Sequence, residues 1–180
     1  MLPPLVLGWE EWVALPSLAL PAIRAKVDTG AKTSALHATG IERLQVFGRP
    51  IVRFVAHPAP ERDDIAVLCE APLYDERQVA SSNGVMETRA VIQSMIAIGG
   101  RTWTIELTLT DRSAMRRRML IGRQAISDDV LVDPSSAFRQ PRLSYALYKR
   151  RGAEPARPGL EAALRRRRPL CLIRWHLPEH

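Results

Sequence analysis

The sequence predicts a mostly β fold: a small closed β-barrel, with a sandwich as the alternative, and one short helix near the C-terminal end of the domain. Apolar and polar residues alternate over short stretches, which is typical of half-buried strands. The chain has 14 prolines, which favour short strands and turns over long helices. A Gly99-Gly100 pair between two alternating stretches is a strong hairpin signal.

The predicted elements follow one another along the chain. Strands are predicted at residues 5–15 (with a turn at Gly8), 22–27, 41–47, 51–56, 65–69, 86–98, 101–110, 119–122 and 130–132. Residues 16–21 are interpreted as a connection, and residues 71–80 as irregular. One or two helical turns are predicted at 123–128. Strands of this length and spacing suit a small barrel or sandwich.

Charge divides the chain into a domain and an extension. A chain of 180 residues is long enough for one well-buried domain and short for two. The net charge of +7 falls almost entirely on residues 149–180, which contain nine Lys or Arg and three Glu. Within them, 152–159 is linker-like and 160–168 has a composition compatible with a short basic helix. We therefore predict a domain at 1–148 and a basic C-terminal extension at 149–180.

Cysteine usage and hydropathy predict a cytoplasmic protein. The two cysteines, Cys69 and Cys171, have no framework spacing, so free thiols in a reducing compartment are expected. No apolar run approaches the roughly 20 residues that a membrane-spanning helix needs, and no membrane partner is predicted. The first four residues lack the basic region and apolar stretch of a signal peptide.

An Asp-Thr-Gly sequence at Asp28, Thr29 and Gly30 is the candidate for chemistry. The alternating stretch 22–27 delivers Asp28 to a sharp turn, where Gly30 can adopt backbone conformations that other residues resist. The Thr29 hydroxyl can hold this turn by hydrogen bonding. Three such common residues are weak evidence alone, because Asp28 is also a good N-cap for a following helix.

A second signature lies further along the chain, where two apolar residues and a glycine precede an arginine at 120–123. Together with the Asp-Thr-Gly-Ala sequence at 28–31, it resembles the retropepsin pattern, in which the apolar-apolar-glycine segment packs behind the catalytic loop. The resemblance extends to one bacterial and archaeal family, which is RimB-like, is associated with the RimK type of glutamate ligase and is usually labelled an ATP-dependent zinc protease. It covers about residues 5–138 and is carried by Gly8 to Trp12, Ala25 to Ala38, Ser82 to Gly84, Glu87 to Arg89 and Met119 to Arg123.

The resemblance implies an aspartic-type endopeptidase that acts on a peptide or protein. It implies catalytic roles for Asp28, Thr29 and Gly30, substrate contacts for Ala31, Lys32, Glu87 and Arg89, and support of the catalytic loop by Leu120, Ile121, Gly122 and Arg123. The association with glutamate ligases suggests a substrate with added glutamate residues and a place in a ligase-related pathway.

Aspartic proteases use two carboxylates that share one proton. The ionised carboxylate draws a proton from water, and the protonated one donates to the scissile carbonyl. A chain with one Asp-Thr-Gly assembles the pair most simply in a two-fold homodimer, with Asp28 facing its copy. A flap must then exclude water, and the predicted hairpin at 51–69, with a polar tip at 57–64, is our candidate.

Neither half of the family's usual label is supported by the residues. Zinc proteases usually have a His-Glu-x-x-His cluster, whereas His37, His57, His176 and His180 have no such spacing. A P-loop needs Gly-x-x-x-x-Gly-Lys-Ser/Thr, which residues 30–33 only approach. We therefore predict no metal ligands, no zinc or ATP dependence and no cofactor.

Several candidate residues also have a purely structural interpretation. Glu87 and Arg89 are two apart on one strand face, so they are interpreted first as an ion pair and second as groove residues. His37 is more often a core or surface histidine than a catalytic one. If a strictly monomeric chain were active, Glu87, Asp111 or His37 would have to assist Asp28.

The rival hypothesis is a catalytically inactive module that keeps the fold and binds peptide, or that binds an acidic partner through its tail. Residues 165–168 are four consecutive arginines, which would act on phosphate charge if they bound nucleic acid. Such a run is more often an exposed face, and we predict no nucleic-acid partner.

Overall fold

The structure, a computed structural model, describes residues 3–60, 62, 64–80, 84–126 and 129–149. The strands in these ranges are β1 Leu5–Gly8, β2 Glu10–Leu15, β3 Leu20–Asp28, β4 Ser34–Val46, β5 Arg49–Ala56, β6 Val67–Pro72, β7 Asp75–Ala80, β8 Met86–Ile98, β9 Arg101–Thr110, β10 Met119–Gly122 and β11 Val130–Asp133. The helical elements are 3₁₀ turns at Pro16–Leu18 and Arg123–Ala125 and the helix α1 at Ala146–Lys149. The predicted extension at 149–180, with the basic stretch 160–168, lies outside the described residues except for Lys149.

The predicted mostly β fold with one short helix is confirmed. The helix is α1, however, rather than the segment 123–128, where the described residues form a 3₁₀ turn at Arg123–Ala125. In the described part of the chain, no helix has both the length and the apolar character needed to cross a membrane.

Residues 71–80 are not irregular, as the sequence predicts, but contain the end of β6 and all of β7. β7 pairs antiparallel with β8 along its whole length. Its side chains alternate between half-buried and exposed, so no apolar face marks the strand in the sequence. In place of apolar contacts, β7 has charge pairs: Arg77 donates hydrogen bonds to Asp75 and to Glu106, each at 2.6 Å.

β4 is also longer than the strand predicted at 41–47. Its first five residues, 34–38, are buried. Within the sheet they are flanked at their edges by β9, with which they pair in parallel, and by β10, with which they pair antiparallel. Their consecutive burial means that both faces are covered. A stretch covered on both faces lacks the alternation that marks a half-buried strand, which explains the missed start.

Six strands are paired in a ring, in the order β10-β3-β2-β8-β9-β4 and back to β10. β5 and β6 continue the sheet beyond β4, and β7 pairs with β8 outside the ring. Two joints are narrow, because β2 meets β8 at the single pair Ala14↔Ala97 and β10 meets β4 at two pairs. The predicted closed barrel is therefore a ring of strands that is not clearly closed.

The core is filled by apolar side chains from most strands. The largest fully buried ones are Phe54, Leu7, Leu15, Leu20, Ile23, Leu36, Ile92, Ile96, Leu107, Leu109, Met119 and Ile121. Cys69 belongs to this core as a free thiol that is 2% exposed. Burial raises its pKa to about 12, so the thiol stays protonated and unreactive at neutral pH.

Glu11, near the start of β2, is a fully buried carboxylate that binds distant backbone. It accepts hydrogen bonds from the N–H of Gly8 at 2.7 Å, of Arg139 at 2.9 Å and of Gln140 at 3.3 Å. Since a buried carboxylate is costly without such donors, Glu11 fixes the segment after β11 against the first two strands.

Its neighbour Glu10 is 1% exposed and anchors two cations. It accepts from Arg24 Nε at 2.8 Å, on the adjacent strand β3, and from Arg117 Nη2 at 2.5 Å, in the loop between β9 and β10. Removing one member of a buried ion pair leaves the other charge uncompensated. Glu10 therefore ties that loop to the strand that leads into the Asp-Thr-Gly turn.

Candidate active site

Asp28 is the last residue of β3, and the turn after it is held by backbone N–H groups. The Gly30 N–H donates to Asp28 Oδ1 at 3.1 Å, and the Ala31 N–H donates to the Asp28 carbonyl oxygen at 3.1 Å. Thr29 is exposed, and its hydroxyl has no hydrogen-bond partner among the described residues. The predicted role of that hydroxyl in holding the turn is therefore not seen. The alternative N-cap role does not apply either, because the strand β4 follows instead of a helix.

A lysine on the same strand faces the carboxylate. Lys26 Nζ donates to Asp28 Oδ2 at 2.9 Å, and the Asp28 side chain is 26% exposed. This hydrogen bond and the Lys26 charge hold the pKa of Asp28 below its usual value, with further help from the N–H groups of Gly30 and Ala31. Partial burial acts in the opposite direction. Asp28 is therefore an accessible carboxylate that favours the ionised form within one chain.

Gly122 lies directly beside this turn. β10 pairs in parallel with β3, which sets Gly122 opposite Asp28. The Gly122 N–H donates to Ser34 Oγ at 3.1 Å. A Cβ at this position would lie 2.6 Å from the carbonyl carbon of Thr33 and 2.7 Å from its oxygen. Only glycine allows the two backbones to approach this closely.

The residues after Gly122 bind the turn directly. Arg123 Nη1 donates to the Gly30 carbonyl at 3.1 Å, and the Arg123 N–H donates to the Ala31 carbonyl at 2.9 Å. Before the glycine, Ile121 is fully buried, whereas Leu120 is half-buried and faces a groove. The segment 120–123 thus lies behind the Asp-Thr-Gly turn as one packed unit.

A groove of about 1020 Å³ runs beside the turn. It is lined by residues after the turn, by the β7–β8 hairpin and by the loop at 111–118 between β9 and β10. The four residues predicted to contact substrate, Ala31, Lys32, Glu87 and Arg89, all contribute to its lining. Asp28 is not part of the lining and lies three residues before Ala31.

The hairpin that lines this groove is β7–β8 and not the predicted flap at 51–69. Residues 77–80 of β7 line the groove together with two residues of β8. No described residue within 51–69 does so. That hairpin consists of β5 and β6, which continue the sheet beyond β4 and away from the ring. The structure therefore makes β7–β8 the better flap candidate.

Charged side chains of both signs line the groove, and the carboxylates among the described residues are Glu87, Glu106 and Asp111. Among the described residues, the cations that line the groove are Lys32, Arg77, Arg89 and Arg112. Arg77 is held in two salt bridges, and Arg89 Nη2 binds Glu87 at 2.9 Å. The Glu87–Arg89 pair is thus both an ion pair and part of the groove. Lys32 and Arg112 form no salt bridge with another described residue.

Two residues of the site were missed by the sequence analysis. Lys26 had a usable signal, because residues two apart on a strand share a face and Lys26 is two before Asp28. No sequence signal marks Arg112, because its loop also contains Arg116, Arg117 and Arg118. Only the fold shows that Arg112 lines the groove.

Comparison with known proteins now identifies the family. The model of a family described as RimB-like, "Retropepsin-like aspartic endopeptidase RimB", matches residues 6–143. The chain belongs to the RimB-like family. The resemblance inferred from the sequence is thereby confirmed, and both the Asp-Thr-Gly turn and the segment behind it lie inside the matched region.

Curated relatives of this RimB-like chain carry a ligase name. A "Probable alpha-L-glutamate ligase" of Shewanella halifaxensis is 48% identical over 133 residues, which are 74% of this chain and 29% of the relative. One with the same name from Parasynechococcus marenigrum is 42% identical over 165 residues, 89% of this chain and 35% of the relative. The chain thus spans about a third of the length of the curated relatives it matches.

A solved structure has a similar fold. The crystal structure of a Legionella pneumophila protein of unknown function matches with a TM-score of 0.60 and 29% sequence identity. The match covers 75% of this chain and 97% of that protein. The Legionella protein therefore corresponds over nearly its whole length to about three quarters of this chain.

The label of the family also raises the question of metal. Among the described residues, no three His, Cys, Asp or Glu side chains are grouped so that they could hold a metal ion. His37 and His57 do lie together, with ring centroids 5.3 Å apart. Asp111 Oδ1 lies 3.5 Å from His37 Nδ1, and His57 Nε2 is hydrogen-bonded to Thr39 Oγ1 at 2.8 Å.

Proposed function

We propose that this RimB-like chain is an aspartic-type endopeptidase in which Asp28 activates water for peptide hydrolysis. One observation carries the proposal: an accessible carboxylate is fixed in a tight turn, braced from behind by Gly122 and Arg123, and placed next to a groove. A carboxylate held in this way can accept a proton from water without reorganising its surroundings.

A second copy of the chain would supply the missing carboxylate. The groups that shift the pKa of Asp28 are Lys26 and two backbone N–H groups, and none of them is a carboxylate. A shared-proton pair needs two carboxylates in close contact. We therefore propose a two-fold homodimer in which the exposed faces of two Asp28 turns meet. The absence of Asp28 from the groove lining fits a site that only the dimer completes.

The substrate would be an extended, acidic peptide. Lys32 and Arg112 are groove cations without a salt bridge to another described residue, and substrate carboxylates would complement them. The ligase name of the longer relatives supports glutamate as the acidic residue. We propose that the chain cleaves peptides or proteins that carry added glutamates.

Cleavage of a glutamate-extended peptide over about pH 3–8, with and without a chelator, tests this function. We expect cleavage that ignores the chelator, and specific activity that rises with protein concentration as the dimer forms. Loss of cleavage on chelation would replace the aspartic mechanism with a metal-dependent one. If a monomeric sample were active and its specific activity did not depend on protein concentration, a mechanism with two Asp28 carboxylates sharing a proton would be excluded.

Lys26→Gln should shift the pH dependence of the same reaction. Lys26 holds the pKa of Asp28 below its usual value, so its removal raises that pKa. The acid limb of the pH–rate profile should therefore move to higher pH. Lys32→Gln is the matched control, because Lys32 lines the groove without contacting Asp28 and should raise KM while leaving that limb in place. An unmoved limb in Lys26→Gln would mean that the ion pair does not persist in the active form.

One observation favours a second candidate function. The described part of a single chain offers Asp28 only one salt-bridge partner, Lys26, which compensates the charge of the ionised carboxylate. A chain that never dimerises would keep a peptide-sized groove, with Lys32 and Arg112 in its lining, but would have no complete catalytic pair. Binding of the glutamate-extended peptide without cleavage at any pH would favour this peptide-binding module.

A further inference from the structure

The loop at 111–118 between β9 and β10 forms one wall of the groove. Asp111, Arg112 and Ser113 are among the residues it contributes. A connection of this length needs fixed points if it is to present side chains reproducibly. The Ser113 N–H donates a hydrogen bond to Asp111 Oδ1 at 2.7 Å, but this bond lies within the loop and does not attach the loop to the core.

His37 attaches the loop at both of its ends. The Nδ1 atom of its ring accepts a hydrogen bond from the Arg112 N–H at 2.9 Å, and the backbone N–H of His37 donates to the Arg118 carbonyl at 2.7 Å. The residue is 3% exposed and lies on the buried half of β4. Because Nδ1 accepts, the ring proton belongs on Nε2 and the imidazole is neutral.

The surroundings of His37 favour that neutral form. Burial lowers the pKa of its imidazole, and the charges of Arg118 and His57 lower it further. Asp111, whose Oδ1 lies 3.5 Å from Nδ1, acts in the opposite direction, as does the backbone of Thr110. His57 Nε2 is itself hydrogen-bonded to Thr39 Oγ1, at 2.8 Å. The acceptor at Nδ1 is therefore kept available near neutral pH.

Arg112 is the side chain that this attachment orients. Its Nε donates to the Arg117 carbonyl at 3.4 Å. Burial lowers the pKa of the Arg112 guanidinium, the nearby Arg89 lowers it further, and Asp28 raises it. Arg112 is thus a half-buried groove cation within electrostatic reach of both Arg89 and the candidate catalytic carboxylate.

We propose that His37 is a positioning residue, whose neutral imidazole holds the 111–118 loop by the Arg112 N–H and thereby sets the Arg112 guanidinium in the groove beside Arg89. The role of Arg112 in binding an acidic peptide rests on the proposed function, whereas the attachment of the loop does not. Protonation of Nδ1 removes this acceptor and frees the Arg112 end of the loop, whereas the Arg117–Glu10 pair and the bond from the His37 backbone N–H remain. An imidazole with a lowered folded pKa loses its contribution as the pH falls below its ordinary value of 6.5.

Three variants test the proposal, with hydrogen exchange of the backbone amides as a readout that needs no activity. His37→Leu removes the acceptor and should lower the protection factor of the Arg112 amide on the order of tenfold, because one partly buried hydrogen bond is lost. His37→Asn keeps an acceptor near the position of Nδ1 and should restore the protection. His57→Gln is the control that leaves the Arg112 bond intact and should behave as wild type.

Peptide affinity supplies the second readout, measured for a fluorescent glutamate-extended peptide by anisotropy. His37→Leu should weaken binding on the order of tenfold and raise KM more than it lowers kcat, since a groove cation is misplaced while Asp28 is untouched. Wild type should lose affinity as the pH falls through the pKa of His37, which lies below its ordinary value of 6.5, whereas His37→Asn, which does not titrate, should lose less. An Asn variant that follows the Leu variant would contradict the proposal.

The outcomes separate this proposal from the peptidase function. Unchanged protection of the Arg112 amide in His37→Leu overturns the attachment, whatever the peptidase activity is. If the Leu variant does not fold, the protection factor of that amide is compared between wild type and His37→Asn as the pH is lowered until the His37 ring, followed by NMR, is fully protonated. Equal protection in both proteins once the His37 ring is protonated overturns the proposal. If wild type does not cleave the peptide but the variants show the expected exchange pattern, the attachment of the loop by His37 stands and only the peptidase function is wrong.

Discussion

Asp28→Asn is expected to lower the rate of peptide cleavage on the order of 10²–10⁴-fold, the range over which a positioned acid–base group contributes. Asparagine keeps the shape of the side chain, and its carbonyl can still accept from the Gly30 N–H. It cannot take a proton from water or share one with a second copy. The rate of hydrolysis of the glutamate-extended peptide, measured at the wild-type pH optimum, gives the effect directly.

The same variant should fold normally. The lost Lys26–Asp28 pair is partly exposed, and such pairs contribute roughly 0–1 kcal/mol to stability. Circular dichroism and thermal unfolding should therefore match wild type closely, and the peptide should still bind. If a preparation of Asp28→Asn without contaminating protease cleaved at the wild-type rate, the reaction would not depend on the Asp28 carboxylate. That result would refute the aspartic mechanism.

Gly122→Ala should damage both stability and activity through one steric contact. The added methyl group would lie 2.6 Å from the Thr33 carbonyl carbon and 2.9 Å from the Lys32 oxygen, which are backbone atoms with little freedom to move. Overpacking of this kind costs about 1–3 kcal/mol. Displacement of a catalytic group by about 1 Å costs on the order of 10²-fold in rate, so the loss of activity should exceed the loss of folded protein. Urea denaturation and kcat of the same samples measure the two effects.

Ile121→Val provides the matched control on the same strand. It deletes a methyl group from a fully buried side chain and should cost about 0.5–1.5 kcal/mol without pushing on the turn. If Ile121→Val and Gly122→Ala lowered kcat equally at equal stability, general destabilisation and not the position of the Asp28 turn would explain the loss. Wild-type kcat in Gly122→Ala would show that the turn tolerates the displacement.

The sequence predicted the parts of the fold that leave a local periodic signal. The Gly99–Gly100 hairpin and the strand into Asp28 were found because turn residues and alternation mark them, and the 119–122 segment because it is a short apolar run. β7 was missed because its side chains have no apolar face. The start of β4 was missed because it is buried on both sides.

The site was predictable where residues are close in sequence or match a family motif. Asp28 and Gly122 belong to such motifs, and their parallel pairing brings them side by side. The positions of Arg112 and of the β7–β8 hairpin depend on contacts between segments far apart in the chain, which no local pattern records. The flap was assigned to 51–69 because its loop is polar, a property that many exposed hairpins share.

The attachment of the last described segment to the first has a consequence for biosynthesis. β1 pairs with β11, and the buried carboxylate of Glu11 obtains two of its three N–H donors from residues 139 and 140. At a translation rate of about 5–20 residues per second, roughly 6–25 s pass between synthesis of the first strand and of its partner. During that interval the Glu11 carboxylate lacks two of its native N–H donors, and β1 lacks its partner strand. The domain should therefore become resistant to proteases in one late step on the ribosome, rather than gradually as its strands emerge.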